Sequence, residues 1–293
     1  MQLQAKKTNL GAWLVLASTV FYASHGVWSK WLNPYFDEFS TSITRSLIVM
    51  LILAPWLLWT KAFKRIPRSE WKWLAVMAIP GGMVTPMYFY SFQHLNVGVA
   101  TLTFFTAYSL AAIIFGLLFF EERLTRIKIA ALMLGLVGLV MITNDDLGNG
   151  AWLPVTVTAL AGVFGSSEVT FSKKLSSEYS AFYLTFILYL FTLLISLPFF
   201  VAFGGLGLSL PGGFAPWGFS VGYAVAIIAA LGFAITGYKY VAPGVGGIVG
   251  LAEAVFGVVF GILIFGESFT LAVGTGMAMI LTAVALPILS KAD

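Results

Sequence analysis

Apart from tyrosines, four ionisable side chains lie well inside the long apolar stretches of this sequence, away from their ends, where a charge is costly. They are Glu253, Glu168, His25 and Arg45. A central charge in a membrane helix costs about 2.5 to 3.5 kcal/mol, so we expect each group to face protein or water and not lipid. A buried carboxyl or imidazole can carry a proton near neutral pH, and a guanidinium can bind a carboxylate or another anion.

Glu253 is the most prominent of the four because it lies on a stripe of glycines. At 100° per residue, Gly246, Gly250, Gly257 and Gly261 project to the same side of a helix as Glu253. Two interpretations stay open. The carboxyl binds substrate or a proton, or it forms a structural hydrogen bond with a neighbouring helix.

The other candidates carry similar alternatives. His25 and Glu168 each lie near a helix end, where a proton-carrying role competes with snorkelling or a loop contact. Arg45 either braces one end of the helices or binds an anion. Mid-helix tyrosines either wall a substrate site or fill space between helices. The tyrosines considered are Tyr88, Tyr90, Tyr108 and Tyr189.

Composition identifies the class of protein that must position these groups. The chain has 293 residues, of which 59% are hydrophobic and 10% charged, with a mean hydropathy of +0.94. Too little polar surface remains for a water-soluble particle, so an all-α membrane protein is predicted. The basic residues form no long block, so no nucleic-acid partner is expected. With no cysteine, two histidines and no His-Glu-x-x-His motif, we expect no enzyme, no metal site and no cofactor.

Ten apolar runs are long enough to cross a bilayer. They span residues 10–31, 40–60, 71–93, 97–119, 125–143, 152–173, 180–203, 216–238, 244–265 and 270–290. With the N terminus inside, 14 of the 16 Lys and Arg residues fall in cytoplasmic segments, so both termini are predicted in the cytoplasm. Pro80, Gly81, Gly82 and Pro86 predict a break or kink in the third helix.

The sequence contains an internal duplication. At a constant offset of 145, residues 107–125 match residues 252–270 at seven of nineteen positions. The identical pairs are Ala107/Ala252, Phe115/Phe260, Gly116/Gly261, Leu118/Leu263, Phe120/Phe265, Glu122/Glu267 and Thr125/Thr270. A second match, at an offset of 143, pairs His25 with Glu168 and Lys30 with Lys173. We therefore predict two five-helix repeats, residues 1–146 and 147–293, which together form one transport unit.

Five is an odd number, so the second repeat must enter the membrane from the opposite side. Inverted repeats are typical of secondary transporters, whose two halves can open a central site to either side. This indicates a carrier with a site near Tyr108 and Glu253.

The duplicated segments resemble the EamA-type members of the drug/metabolite transporter superfamily. The similarity lies in residues 120–125 (FEERLT), residues 265–270 (FGESFT), Arg45, and residues 251–254 (LAEA), where Ala254 replaces a commoner proline. It implies an inner-membrane carrier that exports amino acids, related metabolites or toxic amphipathic compounds by alternating access. It also implies that helices 1, 3, 4, 6, 8 and 9 surround the cavity, and that Glu122 and Glu267 are structural markers and not ligands.

The expected function is therefore efflux of amino acids or small amphipathic metabolites or drugs, with Glu253, Glu168 or His25 coupling transport to protons. The expected partners are a small-molecule substrate, membrane lipid and protons. Two alternatives remain: a nutrient importer or facilitator with the same fold, and a non-transporting receptor or assembly subunit.

Overall fold

The computed structural model describes residues 2–95, 97–143, 152–203 and 211–289, and every regular element in these ranges is helical. A short 3-10 helix, Arg68–Glu70, precedes α4. The α-helices are α1 (Gln2–Ala23), α2 (His25–Leu32), α3 (Glu38–Trp59), α4 (Trp71–His94), α5 (Val97–Phe119), α6 (Arg126–Thr143), α7 (Trp152–Leu175), α8 (Ala181–Phe203), α9 (Ala215–Tyr238), α10 (Pro243–Gly250), α11 (Ala252–Phe265) and α12 (Leu271–Leu289).

Two of the predicted helices are interrupted. The first divides at Ser24 into α1 and α2, and the ninth divides at Leu251 into α10 and α11. At both points a backbone hydrogen bond spans three residues and not the four of an α-helix. Val27 N–H donates to the Ser24 carbonyl, and Ala254 N–H donates to the Leu251 carbonyl. Each second segment begins next to a predicted site residue, His25 or Glu253.

Of the break or kink predicted in the third helix, the break is wrong, because α4 continues through Pro80 and Pro86. The kink stays a prediction. The two glycines of α4 permit close packing. A Cβ atom at Gly81 would meet the Leu188 side chain at 2.5 Å, and one at Gly82 would meet that of Ile195 at 2.8 Å. Contacts with α7 and α8 hold the helix together where proline removes a backbone donor.

Within the described ranges, seven stretches have both the length and the apolar composition to cross a membrane. They are Lys7–Leu32, Phe39–Trp59, Val99–Phe119, Ala181–Val201, Ala215–Tyr238, Pro243–Phe265 and Leu271–Leu289. The chain is therefore a multi-pass membrane protein. Helices α4, α6 and α7 do not belong to this set, so ten crossings remain a prediction.

Helix packing follows the predicted repeat. Helix α4 packs extensively on α7. The repeat relates α4 to α9 and α7 to α1, and α9 and α1 pack extensively on each other as well. The repeat also relates α3 to α8 and α6 to α12, and the two members of each of these pairs pack closely on each other. These contacts run between the two halves, so the core is shared and neither half is a separate globular unit.

The ends of α5 and α11 have the same backbone form. Glu121 follows α5 with a φ of 55°, and Gly266 follows α11 with a φ of 68°. This left-handed conformation ends each helix. The next helices begin alike, since Thr125 Oγ1 accepts from Lys128 N–H and Thr270 Oγ1 accepts from Val273 N–H.

Candidate functional site

Arg45 lies in α3 and is 3% exposed. Its Nη2 donates to Thr85 Oγ1 at 2.9 Å. The guanidinium carbon lies 4.7 Å from the centre of the Tyr223 ring and 5.6 Å from that of Tyr189. Among the residues that the structure describes, Arg45 Nε has no hydrogen-bond partner. The cation is thus held between two aromatic rings and retains one buried donor.

His25 begins α2 beside Arg45. Its Nδ1 lies 3.1 Å from the Tyr223 hydroxyl, and its ring packs edge-on against the Tyr223 ring. Within the described ranges, His25 Nε2 is buried without a hydrogen-bond partner. Tyr223 therefore joins His25 and Arg45 into one group.

Glu168 projects from α7 toward α4. Its Oε2 lies 3.1 Å from the point where a Cβ atom of Gly81 would stand, so the missing side chain of Gly81 makes room for the carboxyl. Glu168 also interacts electrostatically with Arg45. The side chain is half-buried although the next residue, Val169, is 4% exposed.

Tyr22 connects the two carboxyl groups. Its hydroxyl interacts electrostatically with both Glu168 and Glu253. Tyr22 packs against both large hydrophobic clusters of the protein, so it lies at the seam between them. Both carboxyl groups therefore lie near Tyr22 at this seam.

Glu253 lies in the first turn of α11, between the buried residues Ala252 and Ala254. The glutamate itself is half-buried. It interacts electrostatically with the hydroxyl of Tyr88, whose ring lies 4.4 Å from that of Phe104. Glu253 is thus a partly accessible carboxyl between two buried neighbours.

Tyr108 and Tyr238 form the next contact in the interior. Their hydroxyl oxygens are 3.1 Å apart. A Cβ atom at Gly250 would lie 3.2 Å from the Tyr108 ring, and one at Gly246 would lie 2.6 Å from the Tyr238 ring. Part of the glycine stripe beside Glu253 therefore accommodates aromatic rings.

The structure brings seven of the eight predicted site residues into one connected group, which we call the central cluster. Its members are Tyr22, His25, Arg45, Tyr88, Tyr108, Glu168, Tyr189, Tyr223, Tyr238 and Glu253. The eighth, Tyr90, stacks on His94 at 4.1 Å near the end of α4. Sequence reasoning did not select Tyr22, Tyr223 or Tyr238, and only the shared helical face of Tyr22 and His25 could have indicated one of them.

The central cluster has a polar asymmetry. Arg45 and His25 both contact Tyr223, whereas Glu253 interacts electrostatically with Tyr88. Glu168 interacts with Arg45 and with Tyr22. Such an arrangement can bind an ammonium group near the carboxyls and a carboxylate near Arg45. In the described ranges, no three His, Asp or Glu side chains converge as metal ligands.

A separate cavity of about 310 Å³ lies between the α7–α8 loop and the end of α9. It is lined by residues 176–181, Ile235, Thr236, Lys239 and Tyr240. Its lining includes no member of the central cluster.

Comparison with solved structures establishes the fold. A crystal structure superposes with a TM-score of 0.80, covering 96% of this chain and 98% of that chain at 17% identity. This similarity concerns the fold alone.

Sequence relatives and a family model give the family. Proteins called uncharacterized transporters from two Helicobacter pylori strains, J99 and 26695, are each 26% identical over 140 residues. That match spans 47% of this chain and 45% of each relative, so the chain spans less than half their length. The model of the EamA-like transporter family matches residues 9–144 and again residues 152–289. The protein therefore belongs to the EamA-like transporter family.

Proposed function

We propose that this transporter exports amino acids or small amphipathic metabolites by alternating access, with protons as the coupling ion. The observation that carries the proposal is the central cluster, where two half-buried carboxyls and a buried arginine lie among tyrosines from both halves of the chain. The boundary between the halves lies near residue 146, consistent with the two matched segments. An inner-membrane location goes with this assignment.

The cluster favours a substrate with an amino group. Glu253 and Glu168 attract a cation, and the surrounding tyrosine rings add cation–π attraction. Arg45 can take the carboxylate of a zwitterion through its unpartnered Nε. A free amino acid uses both ends of the cluster, whereas an amine uses the carboxyl end alone.

The contacts also support an orientation. Lys64 Nζ donates to the Glu178 carbonyl, and Lys174 Nζ donates to the Phe119 carbonyl. These bonds gather basic residues at the end of the bundle that contains Glu122. By the excess of Lys and Arg in cytoplasmic segments, we place this end and both termini in the cytoplasm.

Counterflow in proteoliposomes tests the transport function. Vesicles preloaded with an unlabelled amino acid should accumulate the labelled form, and empty vesicles should not. The panel compares each amino acid with its decarboxylated amine and its N-acetyl derivative. Absence of counterflow with every compound would refute the carrier and favour a receptor or assembly subunit.

An imposed pH gradient tests the coupling. Proton-driven uptake should disappear in Glu253→Gln while counterflow persists, because exchange needs no net proton movement. Glu178→Gln, which alters an exposed loop carboxyl, is the matched control. Retained proton-driven uptake in Glu253→Gln would exclude Glu253 from coupling, and loss of driven uptake in both variants would indicate general damage.

The direction of transport is tested in intact cells. Cells that express an exporter should retain less of a preloaded labelled substrate than cells with the empty vector. Greater retention would favour the second candidate, a nutrient importer or facilitator of the same fold.

A further inference from the structure

Glu122 and Glu267 are repeat-related carboxylates with the same local conformation. Each follows its helix by a short distance, and its backbone N–H donates to the carbonyl of a glycine six residues earlier, Gly116 or Gly261. Each carboxylate folds back over that glycine, where a Cβ atom would overlap Oε2. The two turns are therefore alike in backbone and side-chain form.

The surroundings of Glu122 close one end of the bundle. Its Oε2 accepts from the backbone N–H of Gly244 at the start of α10, at 2.8 Å. Its Oε1 forms an ion pair with Lys128 Nζ at 2.9 Å, and the two side chains are 5% and 1% exposed. Lys173 interacts electrostatically with Glu122 and donates to the Val241 carbonyl at 2.6 Å. Helices α5, α6, α7 and α10 thus converge on one buried carboxylate.

Glu267 has a different environment. Its Oε1 pairs with Lys30 Nζ at 3.0 Å, and these side chains are 54% and 56% exposed. Lys30, the repeat mate of Lys173, also lies over the Phe265 ring at 4.1 Å. The equivalent pair of charges exists at this end, but it is exposed to solvent.

Helix packing agrees with this difference. All eight residues of α10 are buried, and α10 packs on α5, where Ser109 Oγ donates to the Gly247 carbonyl at 3.2 Å. In the described part of the chain, α11 makes no extensive packing with the start of α5. A Cβ atom at Gly257, one turn after Glu253, would meet nothing within 4 Å. Packing around the carboxylate is therefore tighter at the Glu122 end than at the Glu267 end.

The two repeats differ in charge at one position near these carboxylates. Lys128 and Val273 occupy the same position, the third residue after the capping threonine of α6 or α12. The buried cation beside Glu122 therefore has an apolar counterpart beside Glu267. We propose that Lys128 sets the resting conformation of the transporter by holding the Glu122 end closed, an inference that rests on the alternating-access mechanism proposed above.

The absence of cysteine from the chain allows a direct test with single reporters. Ser109→Cys reports separation of α10 from α5, since Ser109 is fully buried where its hydroxyl donates to the Gly247 carbonyl. Gly257→Cys reports accessibility from the Glu267 end. The rate of maleimide labelling is measured for each reporter in proteoliposomes permeable to the reagent, with Lys128 and with Lys128→Val.

Lys128→Val should raise the labelling rate of Ser109→Cys by about tenfold and lower that of Gly257→Cys, because the buried carboxylate loses its partner. Faster labelling at both reporters would indicate loosened packing and overturn the proposal. Unchanged labelling at both would overturn it as well.

The reciprocal variant, Val273→Lys, covers the case in which Lys128→Val does not fold. A cation beside Glu267 should favour closure of that end, so labelling of Gly257→Cys should fall and labelling of Ser109→Cys should rise. No change at either reporter would contradict the role given to this position. Labelling requires no substrate. Reciprocal labelling changes without counterflow would therefore refute the assigned cargo alone, whereas unchanged labelling in an active carrier would refute the role of Lys128.

Discussion

The paired glycines predict an unequal response to the same small substitution. Alanine at Gly116 or Gly261 places a methyl group where Oε2 of Glu122 or Glu267 now lies. At Gly261 the carboxylate can swing away, since the Glu267 side chain is 54% exposed. At Gly116 the carboxylate must leave a buried ion pair and a hydrogen bond from Gly244.

The expected magnitudes follow from these contacts. Replacing glycine by alanine within a helix contributes about 1 kcal/mol of stability. Separating a buried ion pair costs about 3 to 5 kcal/mol. Gly116→Ala should therefore lose about 2 to 4 kcal/mol, the difference between these two values, whereas Gly261→Ala should stay within about 1 kcal/mol of the parent protein.

Thermal unfolding of the purified protein in detergent measures the difference. At about 2 to 4 °C per kcal/mol, Tm should fall by about 4 to 16 °C for Gly116→Ala. In a Glu122→Ala background the same substitution should cost nothing further, because no carboxylate remains to overlap. Equal Tm values for Gly116→Ala and Gly261→Ala would refute the reasoning.

Three further predictions concern single residues. Glu121→Gly should stabilise the protein by about 1 kcal/mol in the same Tm assay, because Glu121 has a left-handed φ of 55°. Arg45→Lys should reduce counterflow about tenfold, since lysine keeps the charge but loses the guanidinium that lies over the Tyr223 ring. Wild-type counterflow would contradict this. Burial, and then the hydrogen bond to Glu70, raise the pKa of Tyr179 to about 12. The stability that this raised pKa contributes is fully present below a pH of about 10 and is lost as the pH rises through about 12. Tyr179→Phe should therefore lower Tm at neutral pH and make Tm fall less between these two pH values.

Much of the helical architecture could be predicted from the sequence because lipid requires long apolar helices. Hydropathy alone does not predict where such a helix is interrupted. Pro80 and Pro86 are strong helix breakers in isolation, yet α4 continues through both because its neighbours pack against it. The actual interruptions lie at Ser24 and Leu251, where a glycine stands nearby, at Gly26 and Gly250, but other glycines of the chain lie inside continuous helices.

The candidate site was predictable in part for a similar reason. The cost of a charge in lipid identifies Glu253, Glu168 and Arg45 as residues that must face the interior. Periodicity within one helix does not reveal which residues meet across helices. Tyr238 contacts Tyr108 from 130 positions away in the chain, and that contact depends on how the two halves pack.

The duplicated segments show why repeat symmetry in sequence and asymmetry in structure belong together. Two inverted copies of one unit have equal reasons to close either end, so an unmodified duplication has no preferred resting state. Any preference must come from positions where the copies differ. Lys128 and Val273 differ at repeat-equivalent positions, and the carboxylate that pairs with Lys128 is the buried one. Positions at which the two repeats differ should therefore determine which conformation this carrier prefers. Positions at which they are identical should determine the fold that both repeats share.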